Sequence, residues 1–282
     1  MRFAFFIGCT APALVPQYET STRAVLQSLG VDLLDISAFG CCGYPMRNID
    51  RLSFLVSAVR NLALAEQAGL DLLVLCACCF GTLKKARQFL REEPEARAEI
   101  ARHLGRVGLG LGQEVKIRHV LSVLRHDVGL QALETKVVRL FKGLPLAPHY
   151  GCHALRPSDV TNFDDPYKPT IFEDLIAQTG ARSVEWDLRL ECCGAPLRAV
   201  DNELSTTIMN RKIESARSAG ARYLCTACPF CQAQFAARAT DVEPILYPQL
   251  LGLAMGLDPA ALGMGSELAS RILDTTTSEE GI

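Results

Sequence analysis

The chain has 282 residues, 49% of them apolar, which is enough to bury a full core without covalent staples. Its 29 basic residues stand against 31 acidic ones, a net charge of −2 that argues against a nucleic-acid binder and against a polybasic membrane anchor. The 12 cysteines therefore need a reason other than stapling. The opening MRFAFFIGCTAPALVP is broken by Gly8, Pro12 and Pro16, so it reads as a first strand over 2–7 and not as an export signal. No apolar run reaches the length of a membrane span, and the best candidate, 245–257, contains Pro248. The expected compartment is a reducing cytoplasm, where clustered thiols serve metals or redox chemistry.

After the first strand the pattern predicts a helix over 18–29 closed by Gly30, then a strand over 31–36 leading to Cys41-Cys42-Gly43. A helix over 50–68 stops at Gly69, a strand over 71–75 runs into Cys76, and a helix covers 80–91. The glycine run 105–112 lacks the GxGxxG order and a preceding strand, so it reads as a connector and not as a nucleotide loop. Residues 114–127, with Val115, Val120, Leu121 and Leu124, read as an amphipathic helix. The second half repeats the first: strand 146–150 into Cys152, helix 171–179, strand 183–188 into Cys192-Cys193, helix 203–219, and strand 222–224 into the last cysteine cluster. The polar tail 275–282 reads as frayed.

The repeat is also visible in the cysteines themselves. They fall at 9, 41, 42, 76, 78, 79 and at 152, 192, 193, 225, 228, 231. Each half has a single cysteine, an adjacent pair followed by glycine, and a cluster containing C-x-x-C. The offset is 151 for the pairs and 152 for Cys76-x-x-Cys79 against Cys228-x-x-Cys231. This is an internal duplication, expected as a first lobe over 1–95, a helical linker region over 96–145 and a second lobe over 146–282. Strands alternating with helices predict an α/β fold: two homologous lobes with short parallel sheets flanked by helices. Each cysteine group follows a strand and precedes a helix, so the groups should meet at the carboxyl edge of a sheet.

Buried structural thiols do not account for CCG twice, and the inferred compartment disfavours disulfides. Four thiolates with C-x-x-C would suit zinc, but adjacent cysteines chelate one tetrahedral ion poorly and a fifth would be left over. A polynuclear iron–sulfur site takes neighbouring ligands more readily. Cys225-x-x-Cys228 is an alternative C-x-x-C, so the residues alone leave the ligand set of the second half open.

FFIGC (5–9), CCGYP (41–45), LCACCFGTL (75–83), HYGCHALRPSDV (149–160), ECCGAP (191–196) and CPFCQAQF (228–235) together resemble the B subunit of heterodisulfide reductase over essentially the whole chain, including QLLGLAMGL (249–257). The resemblance implies two noncubane [4Fe–4S] clusters facing each other, with a disulfide reduced or formed between them. Cys9, Cys41, Cys42, Cys76 and Cys79 would bind one cluster, and Cys152, Cys192, Cys193, Cys228 and Cys231 the other. Cys225 would be a buried thiol, and Cys78 would point away from its cluster. The resemblance also implies a cytoplasmic complex with a ferredoxin-like C subunit and a flavin-containing A subunit, since the chain has no flavin or nicotinamide fingerprint. His153, next to Cys152, is the candidate catalytic proton donor, against the alternative of a histidine simply hydrogen-bonded at the rim. Two other readings stand beside this one. The chain could be an electron-relay subunit of a quinone- or hydroxyacid-linked oxidoreductase, or a zinc-binding scaffold.

Overall fold

The computed structural model describes residues 1–112, 115–238 and 240–276. The expected frayed tail lies outside these residues from 277 onward, as does Glu114 at the start of the expected amphipathic helix.

Two four-stranded parallel sheets carry the chain. The first has the order β2-β1-β3-β4, built from β1 (Arg2–Phe6), β2 (Asp32–Leu34), β3 (Leu72–Val74) and β4 (Ile117–His119). The second repeats that order as β6-β5-β7-β8, from β5 (Pro145–His149), β6 (Arg182–Ser183), β7 (Tyr223–Thr226) and β8 (Glu243–Leu246). The central strands are buried on both faces and read as continuous apolar runs, as parallel strands under helices must. Phe3 to Phe6 and Leu72 to Leu75 are each at most 5% exposed. Register aligns Phe6 with Val74 and Val74 with His119 in one sheet, and His149 with Thr226 and Thr226 with Leu246 in the other.

This strand order reverses direction between β1 and β3, and again between β5 and β7. Such a switch point leaves a crevice at the carboxyl ends of the two strands. The duplicated helices Arg51–Gln67 and Asn202–Ser218 start alike. The carboxylate of Asp50 accepts from the Ser53 amide at 3.0 Å, and that of Asp201 from the Leu204 amide at 2.9 Å.

Two expectations need correction. Residues 117–119 are a strand and not part of a helix: Ile117 and His119 are buried, and Ile117 pairs with Leu72. Helical structure begins only at Val120 and continues as a π-helix over Val123–Gly129. The first sheet thus takes its fourth strand from the segment read as a helical linker. β6 covers only Arg182–Ser183 instead of 183–188, because beyond Val184 the Trp186 indole, and no backbone amide, donates to the Pro148 carbonyl at 3.2 Å. The apolar run 245–257, expected to be too short to span a membrane, splits into the end of β8 and a helix, Tyr247–Ala254, with Pro248 in its first turn, where the missing amide is harmless.

The lobes pack closely. Helix Ala77–Glu92 of the first lies against the short helix Cys152–Leu155 of the second, and a Cβ on Gly81 would sit 2.5 Å from the His153 carbonyl oxygen. Helix Pro16–Ser28 packs in turn on Tyr247–Ala254. Among the described residues, no helix is long and apolar enough to cross a membrane.

Candidate functional site

Strand ends and helix starts bring the cysteines together. Cys9 follows β1 and caps the short helix Thr10–Leu14, while Cys76 follows β3 and caps Ala77–Glu92. In the second lobe Cys152 opens its helix just after β5, and Cys228 follows β7 and caps Pro229–Phe235. The paired cysteines come from the loops that follow β2 and β6. Their CCG glycines, Gly43 and Gly194, have φ of +86° and +85°, and a Cβ there would lie 2.6 Å from the Phe54 carbonyl oxygen or 2.7 Å from that of Ser205. Only glycine lets each pair turn while seated against the long helix of its lobe.

The ten cysteines predicted as ligands form one continuous ribbon of thiol contacts. In the first lobe it runs Cys9, Cys41, Cys42, Cys79, Cys76, with 4.0 Å between the Cys9 and Cys41 sulfurs. In the second it runs Cys152, Cys192, Cys193, Cys231, Cys228. The two halves meet at Cys76 and Cys228, whose sulfurs are 3.8 Å apart. Cys225 stays out of the ribbon: it is fully buried within β7, and burial alone pushes its thiol up. Cys78, expected to point away, instead contacts Cys76 and lines a cavity between the lobes.

That cavity is small, about 20 Å³, and is bounded by Tyr44 and Cys78 from the first lobe and by Cys152, His153, Cys192 and Phe230 from the second. The His153 ring packs on Tyr44 with centroids 5.3 Å apart, so His153 reaches across the boundary. Burial, and then the charge of Arg47, lower the His153 pKa and favour its neutral form. Burial and then the Cys78 thiolate push the Tyr44 phenol up to about 12.

Some thiols in the ribbon are set to ionise. Hydrogen bonds from Cys41 and Cys79 hold Cys42 well below the ordinary thiol value, and hydrogen bonds from Cys152 and Cys193 do the same for Cys192. Their neighbours Cys79 and Cys152 are pushed up as the donors in those bonds. So many buried thiols cannot all ionise beside one another unless cations share the charge. Soft, mostly buried thiolates suit iron–sulfur clusters and suit zinc. His149, Cys193 and Cys231 hold ligand atoms within 4.8 Å of one another.

Two site residues were missed in the sequence. His149, read as core, places Nε2 3.2 Å from the Cys231 sulfur. Lys212, on helix Asn202–Ser218, is 1% exposed. It donates to the carbonyls of Leu188 and Glu191, the latter at 3.0 Å, and lies 4.7 Å over the Trp186 ring. Burial lowers the Lys212 pKa to about 8 against the pull of Cys193, Cys231, Glu191 and Cys192. The signal for Lys212 is present in the sequence: it falls on the apolar stripe with Met209, Ile213 and Ala216, where a lysine needs an anion to face.

These features define a duplicated α/β protein with a cysteine-lined crevice at each switch point and a cavity where the crevices meet. The family described as "Cysteine-rich domain" (CCG) matches residues 3–84 and 146–236. The chain is 33% identical to the B subunit of the Ferredoxin/F(420)H(2)-dependent CoB-CoM heterodisulfide reductase of Methanosarcina acetivorans, over 93% of this chain and 92% of the relative. It is 31% identical to a protein of Archaeoglobus profundus described as like the B subunit of heterodisulfide reductase, with 92% of each covered. It is also 32% identical to the 8-methylmenaquinol:fumarate reductase membrane anchor subunit of Wolinella succinogenes, over 93% of this chain and 95% of that one. In fold it is similar to a Helicobacter pylori protein of solved structure (TM-score 0.73, 18% identity, 93% of this chain and 50% of that one). The chain belongs to the CCG cysteine-rich family, in two copies, and within it to the type that includes the B subunit of heterodisulfide reductase.

Proposed function

We propose that this chain is the disulfide-handling subunit of a heterodisulfide reductase-like complex, with one noncubane [4Fe–4S] cluster on Cys9, Cys41, Cys42, Cys76 and Cys79 and a second on Cys152, Cys192, Cys193, Cys228 and Cys231. The observation that carries this reading is the meeting of the two thiol sets at Cys76 and Cys228, 3.8 Å apart, beside a cavity both lobes line. When bound, the clusters would supply single electrons and iron sites for sulfur. The chain's own part is to hold a disulfide between the lobes. Apolar walls from Tyr44 and Phe230 keep water from the sulfurs, and His153 stands beside Cys152, where the negative charge of a departing thiolate raises its proton affinity so that it takes a proton from solvent and passes it on. A ferredoxin-like C subunit, linked to a flavin-containing A subunit, feeds the electrons.

Anaerobic purification followed by metal and sulfide analysis tests the reading. About eight irons and eight sulfides per chain are expected. Stoichiometric zinc with no iron would contradict it and favour the scaffold alternative, for which His149, Cys193 and Cys231 offer a ready donor set. The similarity to the Wolinella protein supports a second reading, an electron relay in a quinol-linked reductase. Turnover of a quinol with no turnover of any disulfide would select it.

A further inference from the structure

The two lobes match in backbone but not in the groups that face their cysteines. Asn61 and Lys212 hold the same place on the duplicated long helices, offset by 151, and each is 1% exposed. Both tie down the loop before the cysteine pair. The Asn61 amide donates to the Cys41 carbonyl at 3.0 Å and accepts from the Gly40 amide at 2.9 Å, whereas Lys212 donates to Leu188 and Glu191. One lobe does this with a neutral amide and the other with an ammonium. The neighbouring cations cancel in the comparison, since Arg47 is matched by Arg198 and Arg60 by Arg211 at the same offset.

Lys212 makes no salt bridge among the described residues; it holds the carbonyl of Glu191, the residue before Cys192, and lines one pocket with Cys192, so its charge lies against the second thiol set. A second difference points the same way. β1 ends at Phe6, and the matching residue at the end of β5 is His149, whose Nε2 lies against the Cys231 sulfur. A liganded thiolate only accepts, so Nε2 carries the hydrogen and donates.

We infer that Lys212, assisted by His149, gives the second-lobe centre the higher reduction potential, so that the first electron entering the protein settles there. This rests on the two-cluster reading. A fixed positive charge and hydrogen bonds to sulfur both favour the form with one more electron. The greater exposure of Cys9 acts in the opposite direction, because water also stabilises added charge. Lys212 outweighs it because a charge in a dry wall is screened far less than one that water surrounds. Lys212 touches no substrate, so it is a positioning residue whose effect is on potential.

The test is an anaerobic redox titration of the whole chain, followed by electron paramagnetic resonance and absorbance, with iron and sulfide counted beforehand. Two midpoint potentials are expected. The higher one should persist in Cys42→Ser and vanish in Cys193→Ser. Lys212→Gln should lower that potential by about tenfold in the reduction equilibrium, ~59 mV for one electron, and leave the other in place. Lys212→Arg, which keeps the charge, should stay near the native value. Because the native protein and the two cysteine variants already assign the order, the inference does not hinge on Lys212→Gln folding. Equal potentials, a higher potential in the first lobe, or a Lys212→Gln value that does not move would overturn it while leaving two clusters standing. Iron and sulfide for fewer than two clusters in the native chain would instead sink the two-cluster reading, and this inference with it.

Discussion

The first and second lobes share a strand order, a capped long helix and a CCG turn, yet their cysteines sit in different surroundings. The first set has Phe6, Thr10 and Asn61 at the positions where the second has His149, His153 and Lys212. Cys9 is exposed, while its counterpart Cys152 is half-buried beneath the cavity. A duplicated chain can thus keep the backbone that gathers thiols and change only the groups behind them. The first lobe keeps a plain, partly open site. The second collects a cation, two imidazoles and most of the cavity wall.

The largest contrast should come from removing one ligand at a time. Cys42→Ser is expected to lose the metal of the first lobe and Cys193→Ser that of the second, about half the iron in each case, because a serine hydroxyl is a poor donor for soft iron. Cys225→Ser should keep all of it, since that thiol sits apart inside β7. Iron analysis of anaerobic protein checks all three, and loss of iron in Cys225→Ser would show that the second-lobe ligand set is shifted by one C-x-x-C.

A smaller effect separates the two residues that follow the single cysteines. With iron content unchanged, His153→Asn should lower disulfide turnover on the order of 100-fold, the usual worth of a positioned proton donor. Thr10→Ala, at the matching place in the first lobe, should change it much less. Equal losses in the two variants would remove His153 from the chemistry and leave it as a ring packed on Tyr44.

The smallest effect tests where the lobes are alike. Asp50→Ala and Asp201→Ala each delete one carboxylate cap, and the two should lower the midpoint of denaturant unfolding by similar small amounts. A clear difference between them would mean that the cation-bearing helix Asn202–Ser218 is held in some further way.

The buried central strands and the long helices were legible because their patterns are long enough to show a period. The duplicated cysteine spacing carried the rest, including the gathering of ten thiols at neighbouring strand ends. The edge strands were not legible to the same degree. β4 and β6 have three and two residues, too few to separate a period of 2 from one of 3.6, and β4 was absorbed into a helix expected over 114–127. Cys78 was misjudged because its direction depends on helix Ala77–Glu92 starting at Ala77 and not at Phe80, which turns the residue toward the other lobe. His149 and Lys212 were missed for a different reason: the Cys231 sulfur beside His149 lies on a helix and the carbonyls held by Lys212 lie in a loop, both distant in sequence, and only the lysine's place on an apolar stripe signalled a buried partner.

The central claim is that the two thiol sets act together on one disulfide. Disulfide turnover of folded, metal-counted Cys41→Ala, Cys192→Ala and the double variant tests it most directly. Residues that act as a unit give strongly non-additive losses. Each single change is therefore expected to abolish turnover about as completely as the pair. Retention of most of the turnover in either single variant, with the other lobe's iron intact, would contradict joint action and leave one lobe as a relay.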